Sequence, residues 1–335
     1  MALRSIKEST NYNGKIFVNP IPTKLFQSGS VWSTFTEMMM DQKKREPSIK
    51  PGPFPVDSLA LKNMKLNELS LLWLGHSIIL FSIEGKVFLT DPVWAKRASP
   101  VSFGGPKRFF DAPIALEALP RLDGILLSHD HYDHLDAKTI LKLSNQEIHI
   151  YCPIGVGNLL SKWGVLENLI HEFDWWEELI LDSGVKLAAT PARHFSGRSI
   201  LNRNQTLWTS WVIKGKNKTV FYGGDSGYFP GFKEIGNKYG PFDISMLEIG
   251  AYHPNWGSIH MGPVNAMNAQ IDLNSKCMLP IHWGLFNLAL HGWKEPVEEI
   301  IQLAEKNQVK LCLPVPGELI SQENFGQISY WWRKY

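Results

Sequence analysis

Short apolar runs dominate the chain from Leu71 onward. Leu71 to Leu74, Ile78 to Ile83 and Val87 to Leu89, the last pair divided by the turn Glu84-Gly85-Lys86, predict a small β-meander. Further strands are predicted at Ile125 to Leu127, Ile148 to Tyr151, Val185 to Ala189, Leu207 to Ile213, Thr219 to Tyr222, Ile244 to Ile249, Met278 to Ile281 and Leu311 to Leu313. Several are apolar at every position, the pattern of strands covered on both faces. Helical spacing falls over Ala137 to Leu143, Gly155 to Trp163, Pro263 to Leu273 and Pro296 to Asn307. Strands interleaved with helices predict an α/β layered domain, and no short-period repeat or low-complexity tract interrupts it.

Residues 1 to 60 have a different texture. Pro20, Pro22, Pro47, Pro51, Pro53 and Pro55 surround an amphipathic stretch, Val31 to Met40, that carries Trp32, Phe35 and three methionines. We read this region as an arm with one short helix packed on the main domain, which then spans 61 to 335. Lys43-Lys44-Arg45 follows the predicted helix and offers a second reading, contact with a membrane surface, which is weighted below the packed arm.

Composition removes whole classes. Of 335 residues 44% are hydrophobic and 20% charged, ordinary globular usage, so disordered, collagen-like and coiled-coil chains are excluded. Lys and Arg total 34 against 32 Asp and Glu, and a net charge of +2 supplies no field for holding nucleic acid. Cys152, Cys277 and Cys312 lie far apart with no CxxC pair, which predicts free thiols in a reducing compartment. The first twenty residues are too polar for a signal-peptide core, and no run reaches the roughly 18 apolar residues of a membrane span. A cytoplasmic protein, at most peripheral to a membrane, is the expectation.

The chemistry concentrates in Ser128-His129-Asp130-His131-Tyr132-Asp133-His134, directly after a predicted strand. Alternation along extended chain points His129 and His131 the same way, while Asp133 and His134 turn toward a neighbouring point. Two adjacent metal sites follow, because a hydrated loop gains nothing from so many imidazoles. Two ions need more donors, and three candidates stand just past later strands: His194 in Thr-Pro-Ala-Arg-His, Asp225 in Tyr-Gly-Gly-Asp-Ser-Gly, and His282 before Trp283-Gly284. The glycines around Asp225 permit close approach, so its carboxylate can bridge both ions. Imidazole and carboxylate donors without thiolate point to two zinc ions, with manganese or iron fitting the same shell. Gly224-Asp225-Ser226-Gly227 spells a serine-protease word, but no partner segments accompany it, and Gly155-Val156-Gly157 lacks the rest of a dinucleotide motif.

His129, His131, Asp133 and His134 match in full the His-x-His-x-Asp-His signature, and the chain resembles the metallo-β-lactamase superfamily. Within it the chain looks most like the N-acylphosphatidylethanolamine-hydrolysing phospholipase D family. The words that carry this are Trp73-Leu74-Gly75-His76, Leu89-Thr90-Asp91-Pro92, Arg97-Ala98-Ser99-Pro100, Gly105-Pro106-Lys107-Arg108-Phe109, Asp174-Trp175-Trp176-Glu177-Glu178, Ile249-Gly250-Ala251-Tyr252 and Ile281-His282-Trp283-Gly284. The resemblance covers about residues 17 to 320. It implies an αβ/βα four-layer sandwich, a first metal site of His129, His131 and His194, a second of Asp133, His134 and His282, and Asp225 between them. It also implies a homodimer.

The activity so implied is a phosphodiesterase of phospholipase D type that releases N-acylethanolamine and phosphatidic acid. Two ions about 3.5–4 Å apart would make hydroxide available at neutral pH, with Asp133 orienting it. His260, in Ile259-His260-Met261-Gly262-Pro263, matches a substrate-contacting histidine of the family and is assigned to the phosphate. His76 and Asp91 are read as supports of the metal loop, and His149, His171, His253 and His291 as ordinary. Trp94, Phe103, Phe109, Phe110, Trp256, Trp283 and Phe286 are candidates for an acyl groove or for core. A phospholipid or other small molecule is the expected substrate. A lactonase or other small-ester hydrolase is the alternative enzyme, and an idle metal-binding scaffold ranks last because all seven donors are present.

Overall fold

The computed structural model describes residues 3–24, 44–64, 68–256 and 258–335. The amphipathic stretch Val31 to Met40 and Lys43 lie outside them.

Two seven-stranded sheets form the domain, and each is built by the same plan. In the first, β1 (Leu69–Trp73), β2 (Ile79–Ile83) and β3 (Lys86–Thr90) run antiparallel as the predicted meander. β4 (Gly124–Leu126), β5 (Ile150–Pro153) and β6 (Ile170–Phe173) then add parallel to β3 and to one another. Two helices, α2 (Ala137–Ser144) and α3 (Val156–Trp163), make the crossovers after a short α1 (Ser58–Asn63) has led into the sheet. In the second sheet β7 (Glu178–Ile180), β8 (Lys186–Thr190), β9 (Ser210–Lys214) and β10 (Thr219–Tyr222) are antiparallel. β11 (Ile244–Glu248), β12 (Cys277–Ile281) and β13 (Lys310–Leu311) follow in parallel, with α4 (Gly231–Tyr239), α5 (Gly262–Asp272) and α6 (Glu295–Asn307) as crossovers. β14 (Leu319–Ser321) returns to pair with β1 and closes the first sheet.

Burial explains the layers. β1, β2, β10, β11 and β12 are buried at every residue, as expected of strands covered on both faces. A single core of both sheets' side chains lies between them, crossed by Trp211, whose Nε1 donates to Leu127 O at 2.9 Å. Helices turn one stripe inward: in α6 it is Pro296, Val297, Ile300, Ile301 and Ala304. Two mixed sheets packed across one core with crossover helices make the layered α/β sandwich that the resemblance implies.

The elements missing from the sequence reading have identifiable causes. β7 is an edge strand with Glu178 and Ile180 exposed, and β6 leaves His171 and Glu172 half-buried, so neither reads as an apolar run. α4 is disguised by Gly231 and Gly236; at Gly236 a Cβ would stand 2.2 Å from Asp272 O, so the glycine permits close contact with the end of α5. Leu207 and Trp208 precede β9 and belong to a separate cluster with Phe17, Ile154, Trp175 and Ala192.

Phe17, fully buried in that cluster, pins the first part of the arm, and Asn11 Nδ2 donates to Asp174 Oδ1 at 2.7 Å. Further on, Trp293 N donates to Lys44 O at 3.0 Å, and the Phe54 ring packs steeply tilted against Phe110 and Trp331, at 87° and 74°.

Candidate metal centre

Loops leaving the strand ends of both sheets converge on one point. The first sheet supplies His76 after β1, Asp91 after β3 and Ser128 to His134 after β4; the second supplies His194 after β8, Asp225 after β10, Glu248 at the end of β11 and His282 after β12. The approach is close: Gly224 has φ +56°, and a Cβ there would lie 2.6 Å from Ser128 Cβ. His76, Asp91 and His282 also take left-handed backbone at φ 55°, 35° and 59°, a cost of about 1–3 kcal/mol each that recurs at functional sites.

The structure brings all seven proposed donors together in two overlapping groups. His129 Nε2 lies 2.8 Å from His131 Nδ1, and His194 Nε2 lies 3.4 Å from the same atom. Asp225 Oδ2 completes that group at 3.8 Å from His129 and 3.7 Å from His194. In the second group Asp133 Oδ2 is 3.5 Å from His134 Nε2 and 3.4 Å from His282 Nε2. Asp225 Oδ2 stands 3.2 and 3.1 Å from the same two nitrogens, so one carboxylate oxygen is the common vertex. Tetrahedral Zn–N bonds of about 2.0–2.1 Å set neighbouring donors roughly 3.3 Å apart, close to these spacings.

Supporting groups fix the rings. His134 Nδ1 meets Asp91 Oδ2 at 2.6 Å, an oxygen that also accepts from Ser128 Oγ and Tyr222 OH at 2.5 Å each. His76 Nε2 contacts Asp133 Oδ2 at 3.1 Å. His194 Nδ1 donates to Ile259 O at 3.0 Å, and Ser128 Oγ sits 2.9 Å from His129 Nδ1. Asp130, beside the donors, is spent on Gly197 N at 2.7 Å.

The electrostatics separate the two groups. Burial pushes His129, His131 and His194 below the ordinary imidazole range, and neighbouring imidazoles push His129 further. Burial opposes charge at His134 and His282 as well, but Asp225 and Asp133 override it, joined at His134 by Asp91. His134 is held well above its usual value and His282 is raised to about 10. Burial would raise Asp133 and Asp225, yet these histidines keep both ionised. His134 Nε2, His282 Nε2 and Asp225 Oδ1 are buried with no hydrogen-bond partner. Buried donors left bare in this way suit a metal, which would satisfy them together.

His260, assigned to the phosphate from the sequence, lies beside the donors, its ring centroid 5.0 Å from His194 and 5.4 Å from His282. Its Nδ1 contacts Glu248 Oε2 at 2.7 Å. Glu248 was not among the sequence candidates. It is wholly buried, and burial raises its carboxyl above the usual range. The signal was present, since Ile-Ser-Met-Leu-Glu is a charged residue ending an apolar strand, the rule that found His194, Asp225 and His282. Of the aromatic candidates, Phe110 and Trp283 are absorbed into the core, and Phe103 stands 85% exposed.

The chain as a whole is similar to several known proteins. Residues 86–283 match the family model of the beta-lactamase superfamily domain. An uncharacterised protein of Mycobacterium tuberculosis is 39% identical over 338 residues, 99% of this chain and 90% of its own. The N-acyl-phosphatidylethanolamine-hydrolyzing phospholipase D 1 of Caenorhabditis elegans is 33% identical over 314 residues, 88% of each chain. Among solved structures, a metallo hydrolase from Ignicoccus hospitalis superposes with a TM-score of 0.59 at 22% identity, covering 75% of this chain and 97% of that one.

Proposed function

The chain belongs to the beta-lactamase superfamily and is one of its metal-dependent hydrolases, and from that premise we propose that it is a phospholipase D-type phosphodiesterase acting on N-acylphosphatidylethanolamine-like lipids. The observation that carries the reading is the 33% identity with the worm phospholipase along 88% of both chains, a span that includes every donor described above. Zinc is the ion we propose, on the chemistry of five imidazoles and two carboxylates without thiolate. His129, His131 and His194 would hold one ion, Asp133, His134 and His282 the other, with Asp225 shared. Two such ions supply Lewis acidity to phosphoryl oxygens and acidify water.

The chain's own groups do the rest. Asp133, held by His76 at 3.1 Å, is placed to accept a hydrogen bond from the attacking water and so to aim it. With Nδ1 committed to Glu248, His260 has Nε2 left for a phosphate oxygen. The water oxygen adds to phosphorus as the bond to the N-acylethanolamine oxygen breaks, one of the water's protons ends on that leaving oxygen, and phosphatidic acid is the second product. A route to lipid is consistent with the surface: Val101 and Phe103 are exposed on the segment that bears Lys96 and Arg97. Among the described residues no helix is long and apolar enough to cross a membrane. Peripheral contact is the mode we propose.

Mass spectrometry after incubation of zinc-loaded protein with N-acylphosphatidylethanolamine in mixed micelles tests the reading. N-acylethanolamine and phosphatidic acid are expected, both absent with His129→Ala. A fully loaded enzyme that releases neither, yet opens a lactone, would replace the lipid assignment with the alternative.

A further inference from the structure

Glu248 has no place in the donor set, yet both oxygens of its carboxylate are engaged beside it. Oε1 accepts Ser226 N at 3.0 Å and Met261 N at 3.1 Å, the amides that directly follow Asp225 and His260. Oε2 is left for His260 Nδ1 at 2.7 Å, with His282 Nδ1 at 3.9 Å. A carboxylate with one oxygen fixed by two backbone donors cannot rotate, so the other presents a fixed acceptor to the ring.

We propose that Glu248 is a positioning residue that dictates the proton arrangement of His260. Facing an oxygen held in place as an acceptor, Nδ1 carries a hydrogen, and Nε2, on the opposite edge of the ring, becomes the atom offered to substrate. The bond to Glu248 also fixes the plane of the ring, and with it the direction in which Nε2 meets a phosphate oxygen. His260 itself touches substrate; Glu248 acts only through it. This rests on the phosphodiester reading for its consequence, but the proton arrangement is a property of the chain alone.

The substitution Glu248→Gln separates the two. The amide oxygen must replace Oε1, because Ser226 N and Met261 N need an acceptor, and this turns the NH₂ toward His260 Nδ1. Nδ1 must then be bare, and the neutral ring carries its hydrogen on Nε2. Nitrogen-15 spectra of zinc-loaded protein labelled at histidine, with His260 assigned by His260→Gln, should show the protonated nitrogen switching from Nδ1 to Nε2 in the variant. Turnover of bis(p-nitrophenyl) phosphate should fall about tenfold to a hundredfold in kcat/KM, as when an outer partner is lost, with two ions still bound. Adding Glu248→Gln to His260→Ala should cost nothing more.

An unchanged His260 spectrum, a lost ion, or a further loss in the double variant would each overturn the proposal. If Glu248→Gln does not fold, Glu248→Asp serves: it should keep the hydrogen on Nδ1 and retain more activity than His260→Ala. A wild-type enzyme inert toward phosphodiesters would sink the functional reading, while the switch of nitrogens would still decide the role of Glu248.

Discussion

The two halves of the proposed metal centre are built from similar residues and differ in what stands behind them. Behind His129, His131 and His194 are neutral groups, the Ser128 hydroxyl and the Ile259 carbonyl, and burial leaves these imidazoles uncharged. Around His134 and His282 are Asp91, Asp133, Asp225 and Glu248, and these imidazoles keep protons well past neutrality. One half could receive a cation as it stands, whereas the other holds protons where the proposed second cation would bind. Metal binding there is an exchange, and the two ions should differ in the pH at which they load.

Removal of the vertex tests whether the halves are joined. Asp225→Ala deletes the donor common to both groups, so metal content measured by plasma mass spectrometry should fall below two ions per chain. Activity should drop by roughly 10³-fold or more, beyond the loss from a single electrostatic contact. Retention of both ions would show that the groups are independent. Behind the vertex, Asp91→Asn should weaken the second ion about tenfold to a hundredfold, because His134 loses its charged partner. Ser128→Ala should weaken the first ion less, since His129 loses only a neutral contact, while the lost bond from the same hydroxyl to Asp91 should reach the second ion as a smaller effect.

The charge difference has a sign that can be read directly. At pH 7 His134 and His282 hold protons that a cation must expel, so affinity at the second group should rise with pH. The same linkage predicts the stability of the metal-free protein. Histidines whose folded pKa is raised contribute stability that is fully present below about pH 6.5 and fades as pH rises, for His282 toward about 10. Calorimetric titration of zinc in buffers of different ionisation heat should find more protons released by His194→Ala, which keeps the second group, than by His282→Ala, which keeps the first. Equal release from the two variants would erase the distinction.

The same contrast governs what could be read from sequence. Four donors of the first sheet lie within six residues, so their density announced them. The three from the second sheet lie one per strand end, and position after an apolar run was enough to nominate His194, Asp225 and His282, which the structure brings beside the first four. Their division between two ions was not legible from spacing and entered through resemblance. Glu248 escaped because a lone glutamate closing a strand is ordinary until its oxygens are followed to Ser226, Met261 and His260. Among the elements, fully buried strands were legible, while β7 and β14, at the sheet edges, carry too few inward residues to give a pattern.

The smallest expected effect reaches the centre from the arm. Asn19 Nδ2 donates to His194 O at 2.8 Å, while Arg193 Nε donates to Thr23 Oγ1 at 2.9 Å, so arm residues hold both members of the pair that precedes the Ser196 turn. The arm therefore touches the half whose rings lack charged support, where backbone placement and the neutral contact of His194 Nδ1 with Ile259 O set the donor. Asn19→Ala removes one neutral hydrogen bond and leaves a carbonyl to find water, a cost of about 0.5–1.5 kcal/mol. Part of that cost is recovered, because Asn19 Oδ1 is itself buried without a partner and goes with the side chain. The net expectation is a melting temperature lower by roughly 2 °C, given the scaling for domains of this size. Zinc affinity at the first group should weaken by less than about tenfold, the equivalent of 1.4 kcal/mol, with the second group unmoved. An equal shift at both groups would mean that the arm steadies the whole domain and not the His194 loop in particular.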